Sequence, residues 1–215
     1  GEKVSKKNVL FLVNHDVVIY NFRLELVERL LNDGHEVHVS SPYGDRIKDL
    51  IDLGVIYHEI NMDRHGMNPL KEMKILSVYH RLINDINPDI VLGYTIKPNI
   101  YGAIAAKKAG IPFVANITGL GTAVENSGIK QQIIVCMYKY AFSNIQKVFF
   151  QNTENMQFFV DKKIAVNKHE LLPGSGVNLS RFNVLEYPSE EKISFAFISR
   201  IMKEKGIDYY LEAAK

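Results

Sequence analysis

The stretch Asp89-Ile90-Val91-Leu92-Gly93-Tyr94-Thr95-Ile96-Lys97-Pro98-Asn99-Ile100 sets the architecture of this 215-residue chain. An apolar run of strand length passes through a glycine into a polar loop. Pro98 then fixes the first turn of a helix whose body, Ile100–Ala109, is small and apolar enough to pack tightly on a sheet. Strand, loop and helix in that order make one unit of a parallel sheet, and the unit recurs in both directions along the chain. Strands are expected at Val9–Val13, Glu36–Ser40, Tyr57–Ile60, Asp89–Leu92, Pro112–Ala115, Lys147–Phe150 and His169–Leu172. Several are solidly apolar, as strands covered on both faces are. Leu24, Val27, Leu30 and Leu31 trace one helical stripe ending before Asp33-Gly34, and Leu70 to Ile86 traces a longer one stopped by Asn87-Pro88. Ile129 to Ser143 is the most hydrophobic helix, read either as core packing or as a membrane-leaning face. The fold class is therefore α/β, a Rossmann-like, mostly parallel sheet with helices on both faces.

After Pro173-Gly174-Ser175-Gly176 this rhythm breaks. Residues 1–175 are expected to form an N-terminal domain, 176–190 a linker, and 191–215 the start of a second domain. That start would comprise a strand at Ile193–Ile198 and a helix from Gly206 onward, so the chain is expected to stop about one βα unit into the second domain.

With 47% hydrophobic and 23% charged residues the composition is globular and supports a sizeable core. A formal charge of +2 is too small for a nucleic-acid footprint, so no nucleic-acid partner is expected. Lysines cluster locally at Lys3, Lys6 and Lys7, at Lys107 and Lys108, and at Lys162 and Lys163, as solvated surface or as attraction for anionic lipid head groups. The single cysteine, Cys136, lies inside the apolar run Ile133–Tyr138 and is expected to be buried, with a reducing compartment fitting best. Neither a membrane-spanning run nor a signal peptide is read, and a cytoplasmic location is expected.

The loops after the strands carry the polar chemistry. The first, Asn14-His15-Asp16 to Asn21-Phe22-Arg23, lacks G-x-G-x-x-G, so a nicotinamide cofactor is not expected. Its exit at a helix N-terminus favours an anion, and Arg23 could grip phosphate or pair with Glu25 or another surface acid. His15 and Asp16 could transfer a proton or form a satisfied loop pair. Beyond the fourth strand, Thr95, Lys97 and Asn99 offer a hydroxyl, a cation and an amide; Lys97 could neutralise phosphate or be solvated. After the fifth strand come Asn116, Thr118, Gly119 and Gly121, where backbone could approach a ligand or simply turn. Asp63-Arg64-His65 reads as a loop beside the cleft or an ordinary surface turn. No histidine shows metal-ligand spacing, so no metal is expected, and neither a P-loop nor a G-x-S-x-G elbow is present.

Together these residues resemble the family 4 retaining glycosyltransferases of the GT-B fold, of the bacterial capsule, exopolysaccharide or O-antigen type. The resemblance rests on Tyr94-Thr95-Ile96-Lys97-Pro98-Asn99-Ile100-Tyr101-Gly102, Asn116-Ile117-Thr118-Gly119-Leu120-Gly121-Thr122, Phe149-Phe150-Gln151-Asn152 and Leu172-Pro173-Gly174-Ser175-Gly176-Val177-Asn178 with Arg181-Phe182. It implies that the first domain holds a lipid-linked saccharide acceptor and the second a nucleotide-sugar donor, with no further cofactor, at the inner membrane face. It also implies that Arg200 and Lys205, in Ile198-Ser199-Arg200-Ile201 and Lys203-Glu204-Lys205-Gly206, bind the donor diphosphate, with Ser199 where the family has glycine. Two such cations can offset charge on a departing diphosphate without a metal. The family's paired glutamates would lie beyond Lys215, and its histidine after the fifth strand has no equivalent here. No catalytic residue is assigned, and the chain alone is expected to be inactive. The competing readings are a sugar-nucleotide epimerase of related fold and a non-catalytic module binding a polyprenyl-linked glycan.

Overall fold

The structure is a computed structural model describing residues 5–62, 69–121, 124, 128–187 and 193–214. Lys3, Asp63-Arg64-His65, Thr122 and residues 188–192 lie outside the described residues. The chain divides into one unit ending at Gly176 and a second running from Val177 to Lys215.

The first unit is built on strands β1 (Asn8–Leu12), β2 (Glu36–Ser41), β3 (Ile56–Glu59), β4 (Ile90–Tyr94), β5 (Phe113–Ile117), β6 (Lys147–Phe150) and β7 (His169–Leu171). They form one seven-stranded sheet in the order β3-β2-β1-β4-β5-β6-β7, and every pairing is parallel. Its helices are α1 (Asp16–Phe22), α2 (Leu24–Asn32), α3 (Ile47–Asp52), α4 (Pro69–Ile86), α5 (Ile96–Ala109), α6 (Ile129–Ala141) and α7 (Thr153–Asp161).

Strand alternation sorts the core onto two faces. Val9, Phe11 and Val13 pack with Ile19 of α1, Val27 of α2 and Ile47 and Leu50 of α3. Leu10 and Leu12 point the other way, into a larger core with Tyr79 and Ile83 of α4, Ala103 and Ala106 of α5, and Tyr138 of α6. Both faces of the central strand are thus sealed, which is why its sequence is solidly apolar. The α5 helix packs tightly on the sheet: a Cβ at Gly102 would stand 2.6 Å from Leu12 Cδ1. Toward the β6–β7 edge, Phe159 of α7 stacks edgewise on Tyr138 and Phe150 at ring separations of 5.1 and 5.0 Å.

Four details depart from the sequence expectations. Residues 16–22, read as loop, form α1: the run Val17-Val18-Ile19 is strand-like in propensity, yet Ile19 is fully buried against the sheet and the Asp16 carboxylate accepts from the Val17 N–H at the start of the helix. The α5 helix begins at Ile96, taking in Ile96 and Lys97, read as loop, with Pro98 in its first turn as expected. Cys136 is exposed, because at 100° per residue it turns away from the buried Val135 and Tyr138 of its own helix; Tyr140 on that face is exposed as well, whereas Phe142 is buried.

The second unit carries the fourth departure. Ile193–Ile198 forms no strand, and its Ile193, Phe195 and Ile198 are exposed. Among the described residues of this unit there is no strand for it to pair with, and an unpaired extended segment gains no ladder hydrogen bonds. A 3-10 turn, Lys203–Lys205, leads into helix α8 (Ile207–Ala213), with Gly206 in the left-handed region at φ 79° between them. Tyr210 Oη donates to Phe195 O at 2.9 Å.

Candidate functional site

In a doubly wound sheet the loops on either side of the point where strand order reverses diverge at the strands' C-terminal ends, leaving a crevice for ligand. That point here lies between β1 and β4. The loop after β1 carries Asn14 and His15, the one after β4 carries Thr95, and the neighbouring β5 ends at Thr118 and Gly119. The topology brings five predicted residues to one sheet edge. Asn14, His15 and Thr95 are half-buried, and Thr118 and Gly119 are exposed.

His15 is oriented by a buried partner. Asp16, with no solvent exposure, accepts from Val17 N–H at 2.9 Å and from Arg46 N–H at 2.7 Å, and its Oδ1 makes a very short contact with His15 Nδ1. Val17 N–H also points at His15 Nδ1, at 3.3 Å. Both roles cannot hold for one nitrogen, and two lone pairs at the Asp16 contact would repel. We therefore assign the proton to His15 Nδ1, which leaves Nε2 as the imidazole's hydrogen-bond acceptor. Gly44 makes room for this arrangement, since a Cβ there would fall 2.4 Å from the Asp16 carboxyl group.

Thr95 has φ 69° and ψ 165°, a region that glycine occupies almost alone, so a β-branched residue there stores about 1–3 kcal/mol. Its carbonyl accepts from Asn99 N–H at 3.0 Å, closing the first turn of α5, and its hydroxyl bonds Tyr94 O. Beneath it Tyr94 is buried, stacked on Phe11 at 6.2 Å. Burial pushes the Tyr94 phenol up, and hydrogen-bonded Arg23 partly offsets this. Arg23 is itself 9% exposed, lies over the Tyr94 ring at 5.2 Å and donates to Phe22 O at 2.5 Å. Its surroundings are those of a buried brace between α1, α2 and β4.

Lys97 is not solvated. Its Nζ lies 2.7 Å from Glu72 Oε1 on α4, with the two side chains 15% and 14% exposed. Glu72 also bonds the Tyr101 phenol, which burial and this carboxylate push up. Asn99 and Asn116 are buried: Asn99 Nδ2 donates to Asn116 O at 3.0 Å, tying α5 to the end of β5, while Asn99 Oδ1 accepts no hydrogen bond among the described residues. In the second unit Arg200 and Lys205 are exposed. Among the described residues no three His, Cys, Asp or Glu side chains are grouped to hold a metal.

Sequence reasoning missed Glu72, Gly44 and the Arg46 amide as parts of this edge. None carries a local signal. Each acts across at least 25 residues of chain, Glu72 on Lys97 at that separation and Arg46 on Asp16 across 30.

The profile of the glycosyl transferase 4-like family matches residues 8–152, which span β1 through β6 and the loops just described. The chain belongs to this family. It is 27% identical over 221 aligned positions to the N,N'-diacetylbacillosaminyl-diphospho-undecaprenol alpha-1,3-N-acetylgalactosaminyltransferase of Campylobacter jejuni, covering 95% of this chain and 59% of the relative. It is 26% identical over 208 positions to the UDP-Gal:alpha-D-GlcNAc-diphosphoundecaprenol alpha-1,3-galactosyltransferase of Escherichia coli, covering 89% and 52%. The chain thus spans between half and two thirds of these relatives. A glycosyltransferase structure from Rickettsia africae superposes at TM-score 0.64 with 19% identity, covering 84% of this chain and 46% of that one. A UDP-GlcNAc 2-epimerase structure from Methanocaldococcus jannaschii superposes at 0.52 with 16% identity, covering 78% and 45%. These two likenesses show the shared fold.

Proposed function

We propose that this chain is the acceptor-side part of a glycosyltransferase that moves a sugar, with retention, from a nucleotide-sugar donor to a lipid-diphosphate-linked saccharide in bacterial surface-polysaccharide assembly. The observation that carries the reading is family membership across β1 to β6, joined to two relatives whose names both specify an undecaprenyl-diphosphate sugar acceptor and an alpha-1,3 linkage. Both are transferases, which favours this over the epimerase reading. Among the described residues no helix is long and apolar enough to cross a membrane; the protein would work from the cytoplasmic side, meeting its acceptor at the inner membrane face.

The acceptor saccharide would sit against the loops after β1, β4 and β5. His15 Nε2 would accept a hydrogen bond from an acceptor hydroxyl, with Asp16 holding the ring's tautomer, and Asn14, Thr95 and Thr118 would add polar contacts. Lys97 would meet acceptor phosphate only by sharing or exchanging Glu72, so its pairing tunes rather than supplies the site's positive charge. Arg200 and Lys205 would hold the donor diphosphate and stabilise its departure.

The test is transfer by the full-length protein from a panel of nucleotide sugars to undecaprenyl-diphosphate-linked saccharides, with the anomeric configuration read by NMR. A retained anomer on a lipid-linked product supports the proposal. Hydrolysis or epimerisation of the nucleotide sugar without transfer overturns it.

A further inference from the structure

Helix α6 is apolar on two opposite sides. Ile134, Val135, Tyr138 and Ala141 are buried against the first unit. At 100° per residue, Ile129, Ile133, Cys136 and Tyr140 fall within an arc of about 60° on the far side, and all four are exposed. Ile129 is 77% exposed and Tyr140 63%. The helix contains no acidic residue, while Lys130 and Lys139 flank the outer stripe and Lys107 of α5 rests over the Tyr140 ring at 5.0 Å.

At the C-terminal end of this helix the surface sinks into a shallow depression of about 400 Å³, with Lys139, Lys163 and Lys168 and the exposed Val166 on its walls and no acidic side chain among them. Among the described residues none of these three lysines is in an ion pair, although Lys6, Lys7, Lys97 and Lys147 all are. The loop shaping the depression holds Lys163, Ala165 and Asn167 at φ values of 54°, 49° and 66°, so its backbone is tightly set.

We propose that the outer face of α6 and this lysine-lined depression dock the protein on a bilayer containing anionic lipids. The stripe enters the interface, and the lysines meet head-group phosphates. Lysine-flanked apolar stripes suit a helix lying in the plane of a membrane, whereas lysine is depleted at the core of protein–protein interfaces. The geometry agrees with use. Helix α6 follows β5, so its N-terminal end lies at the sheet edge that carries His15 and Thr118, and a helix lying flat keeps that edge beside the membrane surface. This surface goes beyond the transfer reaction and does not require it, because lipid binding and sugar transfer are read separately.

The test is co-sedimentation of the 215-residue chain with vesicles of phosphatidylcholine alone or mixed in equal parts with phosphatidylglycerol. Binding is expected only to the mixed vesicles and falls as salt is raised. Each basic side chain near such a surface is worth about a fivefold change in binding, so the triple variant Lys139→Gln, Lys163→Gln, Lys168→Gln should bind about a hundredfold more weakly. Ile133→Asp should abolish binding with an unchanged melting curve, since the native side chain is 47% exposed. Equal binding to both vesicles, wild-type binding by the triple variant, or stabilisation by inorganic phosphate without vesicle binding would each overturn the proposal.

Discussion

The Asp16–Gly44 contact makes the sharpest test of how the candidate site is held. Asp16→Ala removes a fully buried acceptor from the Arg46 and Val17 amides and from His15. The Val17 N–H can turn to His15 Nδ1, already 3.3 Å away, once that nitrogen is released from Asp16. The Arg46 amide keeps no comparable substitute. One lost charge-assisted hydrogen bond, plus an acidic group removed from the first turn of α1, comes to about 2–4 kcal/mol. Gly44→Ala acts on the same contact from the other side, where its Cβ would lie 2.4 Å from the carboxyl group. Overpacking of that kind costs about 1–3 kcal/mol. In the Asp16→Ala background the clashing atoms are gone, so Gly44→Ala should then cost less than about 0.5 kcal/mol. Urea unfolding of the four proteins in this cycle, followed by circular dichroism, measures the coupling. Additive losses would mean that Gly44 and Asp16 act independently, and the account of His15 orientation would fail with them.

Three further outcomes follow from the same structure. Thr95→Gly should stabilise the chain by up to about 1 kcal/mol, relief of the strained φ exceeding the added chain entropy; a lower melting temperature would show that Thr95 is not strained. Lys97→Met alone should cost about 3 kcal/mol by stranding Glu72, whereas Lys97→Met with Glu72→Met should cost far less, and equal losses in urea would dismiss the half-buried pair as the cause. His58 lies below the usual histidine range because burial disfavours its charged form and His38 sits 2.9 Å away. On acidification the unfolded chain therefore binds this proton first. His58 contributes its full stability above about pH 6.5 and loses it as pH falls through the folded value, so the melting temperature should drop from about pH 7 to about pH 5, and less steeply in His58→Gln. A flat profile would count against the His38–His58 pair.

The strand positions were legible because burial on both faces leaves a mark in the local sequence. Val9–Val13 and Lys147–Phe150 are apolar where helices cover them; the observed β6 coincides with Lys147–Phe150, and no strand end of the first unit lies more than two residues from its expected place. Helix α1 was not legible, because Val17-Val18-Ile19 prefers extended backbone and only docking on Phe11 and Val39 makes it helical. The exposed Cys136 follows the same logic: a hydrophobic run states that a segment is apolar, not which side of it meets the core.

For the site, the sequence alone determined the loops, because a parallel sheet delivers its ligand groups at strand ends, and Asn14, His15, Thr95 and Thr118 stand there. The tertiary structure decided what each polar group does. Lys97 is paired by Glu72 from another helix, Arg23 is spent on Tyr94, and Asn99 clamps β5. Strand order, and with it the edge where the loops meet, depends on contacts between segments tens of residues apart, and hydrophobic periodicity carries no record of which segment lies beside which.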